Sequence, residues 1–136
     1  MNSLVIACSD SGIVTELAAL QERLGIADAE RMLVPGGPLA LNRTGAERRV
    51  AKECVTTILE SRGVRRVVLV SHQDCAAYER SLGGLGFDQQ NILERDLRRA
   101  KSMLEDEFLG VEVECYVIPW REGPDGAGFG RAERVS

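Results

Sequence analysis

The sequence lacks the features that nucleic-acid-binding, secreted and membrane proteins need. Lys and Arg cluster only in pairs, and the formal net charge is −4, with Lys+Arg 17 against Asp+Glu 21. Nucleic acid is therefore not an expected partner. The opening "MNSLVIACSD" has no basic residue and an apolar run of only five residues, which is too short for a signal peptide or a membrane span. We expect a cytoplasmic protein with no membrane partner.

Histidine and cysteine are scarce, so each one can be considered individually. The chain of 136 residues has one histidine, His72, and four cysteines. In an intracellular chain of this size, the cysteines are expected to be buried thiols, metal ligands or reactive groups rather than disulfides. The length and the hydrophobic content of 44% suit one domain with a continuous core.

Short runs rich in Val, Ile and Leu alternate with helical periods. The runs predict four strands, at residues 4–7, 31–34, 64–70 and 111–118. The intervening periods predict three helices. Their boundary signals are Ile13 and Gly25 for the first, a capping box of Thr44 and Glu47 with Gly63 for the second, and Asp88 with Gly110 for the third.

This order predicts an α/β fold with a mainly parallel four-stranded sheet flanked by helices, because parallel neighbours require right-handed crossovers. Residues 1–120 are predicted to form a single α/β metal-binding domain. Residues 121–136 are predicted to form a Gly-rich C-terminal tail with little to bury, and residues 81–87 an adaptable loop.

Side chains of metal-ligand type follow two of the predicted strands. Cys8 and Asp10 come just after the first strand, and His72 and Cys75 come just after the third. In open α/β sheets, ligands bind outside the carboxyl ends of the strands, where the strand order reverses. If these strands are neighbours, the four side chains form a set suited to tetrahedral Zn²⁺. The alternative is that the cysteines are small buried hydrophobes and His72 is a hydrogen-bonded loop residue.

Four other residues have both a functional and a structural interpretation. Cys54 and Cys115 are predicted to be core residues rather than redox groups. Tyr78 either lines a pocket and moves protons or packs with its hydroxyl at the surface. Arg43 either reaches the site or is an exposed arginine at a helix start, and the second interpretation is favoured.

The segments that hold these ligand-type residues resemble those of the β-class carbonic anhydrases. "ACSDSG" is similar to that family's C-x-D-x-R segment and "LVSHQDCAAY" to its G-H-x-x-C-G segment, while "LVPGGPL" stands where the family has an R-N-A-G-G-like loop. The resemblance implies zinc bound by Cys8, His72 and Cys75, with Asp10 as the catalytic residue that either ligates the metal or accepts a hydrogen bond from metal-bound water. It further implies reversible hydration of CO₂ to bicarbonate by zinc-bound hydroxide, a small CO₂- or bicarbonate-like partner, and a homodimer or higher homo-oligomer.

The chain departs from this pattern at Gly12, where the family has an arginine that pairs with the aspartate. An arginine would hold the carboxylate of Asp10 away from the metal and leave the fourth position open. Without it, Asp10 is expected to bind the metal directly, CO₂ hydration is expected to be weak or absent, and Gly12→Arg is expected to open the site. Three functions remain: a carbonate dehydratase, a silent zinc-binding domain with a structural Cys₂-His-Asp site, and a metal-free thiol protein that uses Cys8 or Cys75 as nucleophile.

Overall fold

The computed structural model describes residues 2–82 and 88–136. A short 3₁₀ turn, Ser11–Ile13, precedes the first α-helix. The elements in chain order are β1 (Ser3–Ala7), α1 (Val14–Arg23), β2 (Glu30–Leu33), α2 (Leu39–Asn42), α3 (Gly45–Arg62), β3 (Arg66–His72), α4 (Ala76–Leu82), α5 (Gln89–Glu107), β4 (Glu112–Ile118), β5 (Trp120–Gly123), β6 (Gly126–Phe129) and β7 (Glu133–Val135).

The main sheet has five strands in the order β2-β1-β3-β4-β7. β1 pairs in parallel with β2 and with β3, and β3 pairs in parallel with β4. Every residue of β1 is buried, as is every residue of β3 after Arg66. Because successive strand residues point to opposite faces, both faces of these two central strands are covered. The mainly parallel α/β fold is confirmed.

Residues 121–136 contain strands that the sequence did not predict, although Ala132 is the one buried residue among them, in keeping with a segment that has little to bury. β5 and β6 form an antiparallel hairpin, and β7 pairs antiparallel with β4, which adds a fifth strand to the predicted four. Ala132, between β6 and β7 in the chain, is buried. The turn of the hairpin contains Pro124 and Asp125 and ends at Gly126, whose φ of 107° favours glycine. The many glycines of this segment therefore serve a turn and short strands.

The three predicted helices are present as α1, α3 and α5, with one error in the buried face of α3. The left-handed Gly63 closes α3 as expected, with φ of 63°. The buried residues of α3 are Ala51, Val55 and Leu59, whereas Cys54 is exposed. The core assignment of Cys54 is therefore wrong, because one residue corresponds to about 100° around a helix and the apolar stripe is offset by that amount.

Other local expectations have mixed outcomes. Thr44 precedes α3 but makes no side-chain cap hydrogen bond, so the capping box is absent. Asp88 likewise precedes α5 without capping it through its side chain.

Cys115 is buried as predicted, and burial raises the pKa of its thiol to about 11. The predicted loop 81–87 lies outside the described residues from position 83 onward. Among the helices of residues 2–82 and 88–136, none has the length and apolar character needed to cross a bilayer.

Candidate metal centre

The strand order reverses between β1 and β3, since β2 lies on one side of β1 and β3 on the other. Cys8 follows β1, His72 ends β3, and Cys75 follows three residues later. One ligand atom from each of these three residues lies within 4.8 Å of the other two. Ligand atoms bound to one tetrahedral Zn²⁺ are about 3.3 to 3.8 Å apart, given bond lengths of about 2.0 to 2.3 Å. The three side chains are therefore close enough to hold one metal ion.

The His72 ring is oriented as a metal ligand must be. Its Nδ1 lies 2.7 Å from the carbonyl oxygen of Gln73, and because a carbonyl only accepts, Nδ1 carries a proton. In the neutral ring, Nε2 is then the unprotonated nitrogen, and it is buried without a hydrogen-bond partner. Buried polar atoms are rarely left unpaired, so an orphaned imidazole nitrogen beside two thiols fits a metal ion.

The two cysteines share a negative charge that is held mainly on Cys8. The hydrogen bond from the Cys75 thiol lowers the pKa of Cys8 against the opposing effect of burial, with further help from His72 and from the amides of Asp10 and Gly36. The same contact raises the pKa of Cys75. Burial lowers the pKa of His72, but the influence of the neighbouring Cys8, the Gln73 carbonyl and Asp10 outweighs burial and raises it. The Cys8 thiolate thus favours a positive charge beside it, which a metal ion would supply.

The glycine-rich loop after β2 closes over Cys8. The Gly36 amide donates to Cys8 Sγ at 3.3 Å. At Gly37, whose φ is 56°, an added Cβ would lie 2.8 Å from the backbone of both Ala7 and Cys8. Only glycine permits this approach of the loop to the end of β1. The "PGG" sequence therefore brings a backbone donor to the thiolate.

Asp10 lies at the margin of the three-residue group. Its Oδ1 accepts the Gly12 amide hydrogen bond at 2.8 Å, which caps the 3₁₀ turn. Its Oδ2 is 3.8 Å from His72 Nε2, and its side chain is 37% exposed. One oxygen is thus held by the backbone while the other lies near the orphaned nitrogen. The structure brings Asp10 beside the other three predicted residues without including it in the group that meets within 4.8 Å.

Two aromatic residues near the three-residue group were missed by sequence reasoning, because Phe129 lies in the segment interpreted as a tail and Trp120 immediately precedes it. The Phe129 ring packs edge-on against His72, with centroids 5.2 Å apart, and against Trp120 at 4.9 Å. An added Cβ at Gly12 would lie 2.9 Å from Phe129 Cε2. The sequence signal that could have found them is the turn "GPDG" between Trp120 and Phe129.

Tyr78 and Arg43 each form a side-chain contact outside the three-residue group. Tyr78 is fully buried, and its hydroxyl donates to Asp96 Oδ2 at 2.9 Å, so the surface-hydroxyl interpretation is wrong. Arg43 forms an ion pair with Glu47 at 3.0 Å, as expected for an arginine at a helix start. It lines a groove of about 1020 Å³ between β2, α3 and α4, which none of the three ligand-type residues lines.

Comparison with known proteins identifies the fold. No protein-family model and no curated protein sequence matches the chain. The carbonic anhydrase of Streptococcus mutans superposes with a TM-score of 0.60 at 17% identity over 99% of this chain and 81% of that one. The wild-type β-carbonic anhydrase CafD of Aspergillus fumigatus gives 0.56 at 15% over 96% and 89%. A carbon disulfide hydrolase gives 0.52 at 15% over 87% and 73%. The chain has a divergent β-carbonic-anhydrase-like fold.

Proposed function

We propose that this chain is a zinc protein in which Cys8, His72 and Cys75 hold the metal. The observation that supports this most strongly is the buried His72 Nε2, which has no hydrogen-bond partner and lies beside two thiols. Two thiolates and one neutral imidazole are ligands that Zn²⁺ prefers. Bound zinc lowers the pKa of a coordinated water and thereby supplies a nucleophile at neutral pH.

Asp10 is proposed as the fourth ligand, so that the site is closed at rest. The distance of 3.8 Å from Oδ2 to His72 Nε2 is near the roughly 3.3 Å that separates N and O ligands of a tetrahedral zinc. The Gly12 amide donates to the other oxygen, Oδ1, and so leaves Oδ2 to the metal.

The proposed reaction is reversible hydration of CO₂ to bicarbonate, weak near neutral pH because a closed tetrahedral site leaves no position for water. The Streptococcus mutans neighbour is a carbonic anhydrase, and another neighbour is a carbon disulfide hydrolase. Both names describe small, linear, electrophilic substrates, which is the class that we propose here. If no hydration is found, the zinc is structural and the domain is catalytically silent.

A metal-free thiol function is less well supported. Cys8 and Cys75 are 7% and 3% exposed, and a reactive cysteine must be reached by its substrate. Cys54 is exposed but lies on α3, outside the three-residue group.

A homodimer in the cytoplasm is also proposed. β2 is an edge strand of the sheet, and an uncovered edge can pair with another chain. Leu33 on β2 and Val50 on α3 are 44% and 61% exposed, and Val50 lines the groove beside β2. Apolar side chains around an edge strand are suited to a second copy of the chain.

Metal content and anion binding test this proposal. Purified protein from zinc-replete medium should contain about one zinc per chain, Cys75→Ser should lose it, and the matched Cys54→Ser should keep it.

With cobalt(II) in place of zinc, added azide should leave the absorption spectrum of the native protein unchanged and alter that of Asp10→Ala. Asp10→Asn, which keeps an acceptor for the Gly12 amide, should behave as Asp10→Ala does. A native protein without zinc would refute the metal centre, and a native spectrum that responds to azide would refute closure by Asp10.

A further inference from the structure

The C-terminal hairpin places one aromatic ring directly on the metal-site histidine. Phe129 on β6 pairs with Trp120 on β5, and the two rings contact each other edge-on. The hairpin is tied to the loop after β3, because the Trp120 amide donates to Gln73 Oε1 at 2.9 Å. The Phe129 ring is therefore held between Trp120 and His72, nearly perpendicular to the His72 ring at 89°.

The same ring limits the space for a side chain at position 12. Gly12 does not have the positive φ that favours glycine, so its backbone conformation does not itself require glycine. Space is the constraint, because an added Cβ would lie 2.9 Å from Phe129 Cε2 and 3.1 Å from Asp10 Oδ1. The ring fills the volume into which a side chain at position 12 would project.

We propose that Phe129 is a positioning residue of the metal centre. It fixes the His72 ring so that Nε2 stays beside the two thiols, and it excludes any side chain at position 12 that could hold Asp10 away from the metal. This inference rests on the metal centre proposed above. On this proposal, Gly12→Arg alone would not open the site, since the arginine side chain would first have to displace the Phe129 ring.

A double-mutant cycle between Gly12→Ala and Phe129→Ala tests this coupling. The affinity for zinc, measured by competition with a chelator, should fall about tenfold in Gly12→Ala. This is the lower end of the loss in metal affinity that follows when a residue that orients a metal ligand is changed. In the Phe129→Ala background, the same Gly12→Ala change should alter the affinity much less, because the closer of the two contacts, the one with the ring, is gone. Phe129→Leu removes the ring but keeps an apolar side chain. It is the second variant to use if Phe129→Ala disrupts the hairpin.

The control is Gly128→Ala, next to Phe129, where an added Cβ meets nothing within 4 Å; it should change neither affinity nor stability. Cobalt(II) absorption gives a second measurement, and it should shift in Gly12→Ala and in Phe129→Leu but not in Gly128→Ala. Equal, additive effects of Gly12→Ala in both backgrounds would overturn the proposal, as would an unchanged cobalt spectrum in Phe129→Leu. If native protein binds no metal, the metal centre fails, whereas native binding with an additive cycle refutes only the role of Phe129.

Discussion

Removal of the Tyr78 hydroxyl should destabilise the protein by more than loss of a single surface hydrogen bond would. The hydroxyl donates to Asp96 Oδ2 at 2.9 Å, and both residues are buried, at 0% and 5% exposure. Burial, and then the charge and hydrogen bond of Asp96, raise the pKa of Tyr78, so the hydroxyl keeps its proton. In Tyr78→Phe, Asp96 Oδ2 would lose this donor inside the protein.

The magnitude follows from the charge of the acceptor. A hydrogen bond to a charged group contributes about 1.5 to 3 kcal/mol, and Asp96 would keep the Arg95 contact at 3.3 Å on its other oxygen. A loss of about 2 kcal/mol is a large part of a typical stability of about 5 to 15 kcal/mol. With a denaturant slope of roughly 2 kcal/mol per molar urea, the unfolding midpoint should fall by about 1 M.

Urea unfolding followed by circular dichroism measures this shift, with Tyr116→Phe as the matched control. The Tyr116 hydroxyl donates to Glu114 Oε1 at a longer 3.2 Å, and the Glu114 side chain is 14% exposed, against 7% for Asp96, and remains paired with Arg66. This loss should therefore be smaller than that in Tyr78→Phe. Zinc content should be unchanged in both variants. Equal midpoint shifts in the two variants, or none in Tyr78→Phe, would refute the argument from the buried Asp96.

Three further predictions concern the metal, the assembly and an ion pair. Chelation should lower the melting temperature of the zinc-loaded protein, because binding to the folded state alone stabilises it; an unchanged value would contradict this. Light scattering at micromolar concentration should give the mass of a dimer, and a monomer would contradict the edge-strand argument. The hydrogen bond from Arg66 lowers the pKa of Glu114 in the folded chain. The stabilisation by this ion pair is therefore fully present above the pKa of an unfolded Glu, about 4.3, and is lost as the pH falls through the pKa of Glu114 in the folded chain. Glu114→Gln should therefore cost about 1 kcal/mol at neutral pH and less in acid below the folded value, and an equal cost at both would count against it.

The parallel sheet and the meeting of three side chains of metal-ligand type were predictable because they depend on periodic patterns and one topological rule. The apolar runs mark β1 and β3 as buried strands, and parallel neighbours end at the same edge of a sheet. Cys8, His72 and Cys75 lie at or just after those ends, so their approach within 4.8 Å requires no knowledge of the loops. The placement of Asp10 depends on a side-chain torsion, which no pattern specifies.

The C-terminal hairpin was not predictable by the same means because its strands are short and rich in glycine. β6 has the sequence "GAGF" and is stabilised by pairing rather than by propensity. Phe129 contacts His72 from a distant part of the sequence, and such contacts arise only from tertiary structure. The prediction that Cys54 is buried was wrong for a different reason. The apolar stripe of a helix is broad, so the sequence pattern does not fix its position to within one residue.

The central claim is a zinc centre of Cys8, His72 and Cys75 that Asp10 closes. A crystal structure of the native protein with zinc, located by anomalous scattering at the zinc edge, tests it most directly. We expect one ion bound by both sulfurs at about 2.3 Å, by His72 Nε2 at about 2.0 Å and by a carboxylate oxygen of Asp10 at about 2.0 to 2.2 Å. A solvent ligand in the fourth position with Asp10 turned away would contradict the closed site, and zinc bound elsewhere would contradict the centre itself.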